Sequence, residues 1–308
     1  MKVSITDSTS SNSLNVSSAI TVNGTSIGYP ITVGAVAVNS SQITVSPSLM
    51  NSSVISAPLL TLGGVSHPGI IYKGIVDYQV FTANGTWNNP TANATFGLSG
   101  NEQAFVMMWG GGGGAAANNT VTRAGSGAAC VIGNFRLSDL ASTVSVTIGL
   151  GGTGRKNTTV AVLTPNPGTD SIFGALTAYG GGAGDSGGGG GWLSAGNNTV
   201  TGAPLGGAVS TFGGGDNGGG TGAGGISIFG GGGGTRNSGS AGGNSVYGGG
   251  GGSGGGAGGT SVFGGNGGNN TLASVNGVAP GGGAGALAGA SGAAGNGARG
   301  EVRVWVIK

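Results

Sequence analysis

Charge is nearly missing from this 308-residue chain. Lys and Arg total ten and Asp and Glu eight, 6% of all residues, with a net charge of +2 and a single histidine. The basic residues are scattered, so nothing clusters to displace counterions from a nucleic acid, and no nucleic-acid partner is expected. Cys130 stands alone, which excludes an intrachain disulfide and a cysteine-based metal cluster. No two carboxylates have a spacing that suggests a glycosidase pair, and His67, followed by Pro68, reads as structural or solvent-facing. The expectation is a protein with no catalytic residues, no cofactor and no metal. Apolar runs are short as well. None approaches the roughly 20 residues of a membrane span, and the opening MKVSITDSTSSNSLNVSS holds no apolar run of signal-peptide length. Sequons such as Asn23-Gly-Thr and Asn51-Ser-Ser read as an Asn/Ser/Thr-rich surface.

Glycine is what the chain has instead. Ten of its 78 glycines lie in residues 1–109, and the rest make up about a third of the residues from Gly110 onward. That shift divides the chain into an N-terminal region, 1–76, and a glycine-rich domain, 77–308. Residues 1–76 read as short β-segments between polar turns, with Ile, Val and Ala alternating with Thr, Ser and Asn in SAITVNGTSIGYPITVGAVAVNSSQITVS. DYQVFTANGTWNNP predicts a strand, an Asn84-Gly85 turn and a second strand ending at Pro90. NEQAFVMMWGGGGG predicts a strand running straight into five glycines. AACVIGNFRLSDLASTVSVTIGLGGTG predicts a strand, a turn around 138–142 and an alternating strand with Val144, Val146 and Ile148. In the closing GEVRVWVIK, Val302, Val304 and Val306 share one face. Conventional strands therefore bracket the glycine-rich segment, and the fold class expected is all-β with negligible α-helix.

Within that segment a short unit recurs: SIFG at 171–174, STFG at 210–213, SIFG at 227–230, SVYG at 245–248 and SVFG at 261–264. Such a period marks stacked structural units. A flexible linker needs no periodic aromatic, and collagen needs strict Gly-X-Y with abundant proline, absent here. The favoured structure is a bundle of packed polyglycine II helices, in which backbones hydrogen-bond to one another and a side chain would block their approach. Disorder and flat β-stacking are the competing readings. In the bundle, Phe173, Phe212, Phe229, Tyr247 and Phe263 are expected to be apolar anchors, one per unit.

The order FTANGTWNNP, FVMMWGGGGG, FRLSDLASTVSVTIGLGGTG, DSIFGALTAYGGGAG and GARGEVRVWVIK resembles the glycine-rich receptor-binding module of tailed-bacteriophage tail fibres over residues 78–308. It is similar in principle to the polyglycine-sandwich adhesins of long tail fibres. The resemblance implies a virion protein, an extracellular adhesin of homotrimeric fibres, that binds a bacterial surface receptor, polysaccharide or outer-membrane protein. Residues 1–76, which match nothing recognisable, would then attach to other virion tail proteins. If rods must be glycine, specificity falls to their connections, and glycine lapses in 115–125, 155–168, 191–207, 235–242 and 269–282. The receptor-binding candidates are Asn118, Asn119, Thr120, Arg123, Trp192, Leu193, Asn197, Asn198, Arg236, Asn269 and Asn270. The recurrent Asn-Asn-Thr at 118–120, 197–199 and 269–271 reads either as turn-forming asparagine or as a set of donors for carbohydrate, and Trp192 either as an exposed stacking ring or as a core anchor. The alternative function is a non-binding structural or decoration protein of the virion head or tail, and an ice-binding role finds no regular Thr or Ala rows.

Overall fold

The computed structural model describes residues 20–22, 25–27, 59–62, 65–68 and 75–308, the last span without 93–97, 119, 157–163, 185–187, 197–213, 216–221, 236–239, 271–274 and 288–292. The chain divides into two compact units, Met1–Tyr72 and Lys73–Lys308. In the first, β1 (Ile20–Val22) pairs antiparallel with β2 (Thr25–Ile27), and β3 (Leu59–Leu62) with β4 (Val65–Pro68). The described residues are all-β apart from single 3₁₀ turns at Pro90–Ala92 and Leu137–Asp139.

The second unit opens as a β-sandwich. Its first sheet has the order β10 (Cys130–Arg136), β7 (Gln103–Trp109), β15 (Glu301–Ile307), β5 (Ile75–Phe81), all antiparallel. The second has the order β14 (Leu176–Ala178), β13 (Ser171–Phe173), β11 (Thr143–Thr147), β6 (Gly85–Asn88). Period-two alternation supplies the core between them. Val302, Val304 and Val306 come from β15, Val106 and Met108 from β7, Val144 and Val146 from β11, joined by Trp87, Phe173 and Ile148, all buried. The predicted strands at 103–109, 130–136, 143–147 and 301–307 are present, and the chain returns between sheets through the Leu137–Asp139 turn. The Asn84-Gly85 expectation needs correction. β5 and β6 lie in different sheets, and the Asn84 Oδ1 accepts the Ile148 N–H at 2.8 Å, so the chain crosses the sandwich here and does not fold back on itself.

From Trp109, Ile148 and Ala178 the chain leaves the sandwich as extended glycine-rich rods. In the 110–117 rod the donors rotate among three neighbours. Gly110 and Gly113 donate to Ala129 and Ser126, Gly111 and Gly114 to Thr169 and Asn166, and Gly112 and Ala115 to Ala298 and Gly295. Each third residue returns to the same neighbour, three residues back along it, which is the three-residue turn of polyglycine II. The adjacent 122–129 rod follows the same rule. Ala124 and Gly127 donate to Thr235 and Gly232, Gly125 and Ala128 to Ala284 and Gly281, and Ser126 and Ala129 to Gly182 and Tyr179. It accepts from Gly110 and Gly113, from Gly190, and from Gly249 and Gly252, so it sits inside six neighbours. Glycine is required by this close approach: a Cβ on Gly127 would overlap the Gly249 carbonyl, and one on Gly113 the Gly182 carbonyl. A net bond is worth about 0.5–1.5 kcal/mol, against about 1–2 kcal/mol for ordering each residue. The rods therefore depend on the apolar sandwich that anchors their inner ends.

The Ser-x-aromatic-Gly units turn the chain at the sandwich end. The Ser245 hydroxyl donates to Gly230 O at 2.7 Å and the Ser261 hydroxyl to Gly248 O at 2.6 Å, each reaching the glycine that closes the preceding unit. The rings stack in register: Phe229 on Tyr247 at 4.7 Å and Tyr247 on Phe263 at 4.8 Å, within 8° of parallel. This corrects the expectation of five equivalent buried anchors. Of the four described rings only Phe173 is fully buried, edge-on to Trp87 at 5.8 Å. Phe229 and Tyr247 are half-buried and Phe263 is 48% exposed, because each ring packs on the next unit and not into a common core. Phe212 lies outside the described residues.

Gly127→Ala should cost about 3 kcal/mol or more, the upper end of overpacking, because its obstacle is backbone. Gly85→Ala meets only the Phe81 ring, at 3.3 Å, and should cost far less. Thermal melts of the two variants check this.

Candidate binding site at the turn end of the array

The rods run outward from the sandwich and return, and hydrogen bonds tie their far ends together. β12 (Arg155–Lys156) pairs parallel with β8 (Ala116–Ala117), and β8 pairs antiparallel with β9 (Thr122–Arg123). The Thr122 hydroxyl donates to Gly254 O at 2.5 Å, and the Gly254 N–H donates to Thr235 Oγ1 at 2.9 Å. Ser253 Oγ donates to Ser240 O at 3.0 Å, while the Ala286 N–H reaches Ser253 O at 2.9 Å. Ala115, Ala117, Ala284 and Ala286 pack into a small buried cluster, where a methyl group fills the space that a larger side chain would overfill. Residues from four of the predicted connections thereby converge on one end: 115–125, 155–156, 235 with 240, and 269–270.

The asparagines at this end are engaged with the fold. Asn118 Oδ1 accepts from Thr120 N at 2.9 Å and Val121 N at 2.6 Å, an Asx-type turn that satisfies the backbone where the rod reverses. Asn269 Oδ1 accepts the Gly258 N–H at 2.6 Å, and Asn270 Nδ2 donates to Gly255 O at 2.8 Å, so this pair latches one turn to the next. Thr120, Arg155 and Lys156 are exposed. The end therefore presents Thr120, Arg155 and Lys156 on a frame braced by its asparagines.

Arg123 departs from expectation, and the other two candidates find their place. Arg123 is 9% exposed and pairs with Ala116 through β9, so it braces the array from inside and does not project from a tip. Trp192 and Leu193 lie at the opposite, sandwich end. Trp192 packs against the sandwich core and meets Phe229 at 5.9 Å, while Leu193 is 69% exposed in a turn closed by Gly191 N–H to Ser194 O. Asn119, Asn197, Asn198 and Arg236 lie outside the described residues. Thr122, Thr235 and Ser253 escaped the sequence reading. Their signal is nonetheless present for two of them: Thr235 and Ser253 are each the first residue after five or more glycines, the place where a rod stops.

Among the described residues no three of His, Cys, Asp and Glu gather to hold a metal. Cys130 is buried with Trp109 and Met107, and burial pushes its thiol far above the ordinary range, so it is no nucleophile.

A family model described as a glycine-rich domain matches residues 82–306, and the chain belongs to that family. No curated protein matches the chain.

Asn269→Ala removes the acceptor of Gly258 N–H, and Asn270→Ala the donor to Gly255 O. Each should cost about 1 kcal/mol. Hydrogen exchange at Gly258 should quicken in Asn269→Ala before the melting temperature falls.

Proposed function

We propose that this glycine-rich domain protein is a bacteriophage virion protein of the tail fibre, an adhesin that binds a host-cell surface receptor through the turns at the outer end of its array. The observation that carries the reading is a division of labour along the rods. Their interiors hold only glycine and small residues such as Ala124, Ser126 and Ala128, while Asn118, Thr120, Arg155, Lys156 and Asn270 gather where the rods reverse. A turn can change its sequence without disturbing the interior, which suits a partner whose chemistry differs between hosts. The ordered likeness to tail-fibre receptor-binding modules supports the same reading.

Binding would follow from preorganisation. Turns held by bonds such as Thr122–Gly254 and Asn270–Gly255 have already lost most of their freedom, so less ordering entropy opposes association. Neutral amides and hydroxyls would meet the hydroxyls of a surface polysaccharide or the loops of an outer-membrane protein, with Arg155 and Lys156 at hand for anionic groups. Residues 1–76 would join the chain to other virion tail proteins.

A second reading, a structural or decoration protein of the head or tail that binds no receptor, is favoured by one observation. The polar atoms of Asn118, Asn269 and Asn270 described above are spent on internal bonds.

Virions carrying Thr120→Gly, Arg155→Ser and Lys156→Ser separate the two. Adsorption to host cells should slow at least tenfold while particle yield and incorporation of the protein stay constant. Unchanged adsorption, or location of the protein on the head, overturns the adhesin reading in favour of the second.

A further inference from the structure

Antiparallel partners stay in step only while neither strand gains or loses a residue. β7 and β10 pair without a slip from Gln103–Arg136 to Trp109–Cys130. The rods beyond keep that register: Gly110 donates to Ala129, Gly113 to Ser126, and Ala116 and Ala117 oppose Arg123 and Thr122. Strand and rod are therefore one hairpin, running from Gln103 to the 118–121 turn and back to Arg136. β15 behaves alike on the other side of β7. Glu301 opposes Trp109, and beyond it Gly112 donates to Ala298 and Ala115 to Gly295, again without a slip.

Bonds between such neighbours lie across the chain direction. A pull along that direction loads all of them together, whereas a pull that parts two strands at one end loads them one pair at a time. The rods also have almost no slack. Polyglycine II rises about 3.1 Å per residue, against a ceiling of about 3.3–3.6 Å for any extended chain. An α-helix, at about 1.5 Å, would more than double its length under the same pull. β5 and β15 supply the opposite case. Ile75 opposes Ile307, so the chain enters β5 and leaves β15 at the same end, and β5 lies at the edge of its sheet.

We infer that the second unit is a tether that carries tension along its rods, gripped at the Ile75 end and pulled at the 118–121 turn. In that direction β7 is drawn outward and β5 backward past β15, which is antiparallel to both and bonded along its length to each. Load entering the turn passes down both arms of the hairpin. The 110–117 arm spreads it into the rods of Thr169 and Ala298, and the 122–129 arm into its six neighbours. No rod lengthens first, so the bonds share the load until the unit fails as a whole. Drawn apart at its two chain ends, the same unit opens from Ile75–Ile307 toward Phe81–Val302, pair by pair. Its strength is thus set by where the force is applied, whatever the outer end binds.

Forced unfolding reads the unfolding rate under load, so single-molecule pulling of the full chain tests this. Thr120→Cys provides the outer handle, since Cys130 is 1% exposed and stays unreactive. Pulled between residue 1 and position 120, the second unit should need several times the force that opens it between residues 1 and 308. The first unit lies in the path both times, and the length it releases identifies its opening. Lys156→Cys, on the exposed β12, is a second outer handle should the first variant fold poorly, and the same excess of force is expected with it. Before failure the span should grow by about a tenth at most. Equal forces in the two directions overturn the inference, and so does a span that lengthens in steps as rods peel away one by one.

Discussion

Every feature of the second unit depends on how a polyglycine II rod spends its hydrogen bonds. With three residues per turn, successive N–H groups leave the rod about 120° apart, so each rod must find three acceptors and, through its carbonyls, three donors. The 122–129 rod finds all six neighbours. Where a Cβ would meet a neighbouring carbonyl, as at Gly125 and Gly127, only glycine fits, and its entropic weakness becomes a requirement for it; Ala124, Ser126, Ala128 and Ala129 occupy the positions of the same rod that accommodate a Cβ. A rod alone would be solvated and disordered. A rod within the array is fixed on every side.

The array does not stand without the sandwich. The bond network gives little net free energy per residue once ordering is set against it, whereas Trp87, Trp109, Met108 and the valines of β15 are taken wholly out of water. The sandwich also sets spacing. Trp109, Cys130, Thr147, Ala178 and Glu301 end or begin strands whose positions in two sheets determine where each rod starts. The Ser-x-aromatic-Gly units then extend this arrangement beyond the sheets, with a hydroxyl bond to the previous glycine and a ring on the previous ring. Sheet, ladder and rods form one scheme, with side-chain packing at one end giving way to backbone packing at the other.

How much of this the sequence disclosed follows the same gradient. Where side chains alternate, as in Val144, Val146, Ile148 and Val302, Val304, Val306, strand and buried face were both legible. The array was legible as a class, from glycine content and the recurring unit, but a run of identical glycines carries no mark of which neighbour each one meets. The burial of Arg123 is a product of that hidden arrangement, since β9 is enclosed by rods distant in sequence. Trp192 was left open between a stacking ring and a core anchor, and the structure packs it on the core; Leu193 is exposed, but at the sandwich end, because turns occur at both ends of the array. Asn84-Gly85 misled because a good turn dipeptide does not say which sheet the following strand joins. The asparagines were left open between turn formers and donors for a ligand; Asn118 closes its own turn, whereas Asn269 and Asn270 bond a neighbouring turn, a pairing that came only with the structure.

The three-residue period has a further consequence for how such a chain can change length. Removing or inserting one residue within a rod swings every later donor by a third of a turn toward the wrong neighbour. Gly111 and Gly114 share a partner rod only because three residues separate them. Rod interiors should therefore accept indels only in multiples of three residues, or nine nucleotides, whereas the turns have no such phase. Length variation in descendants of this gene would be quantised in one part of the protein and continuous in the other.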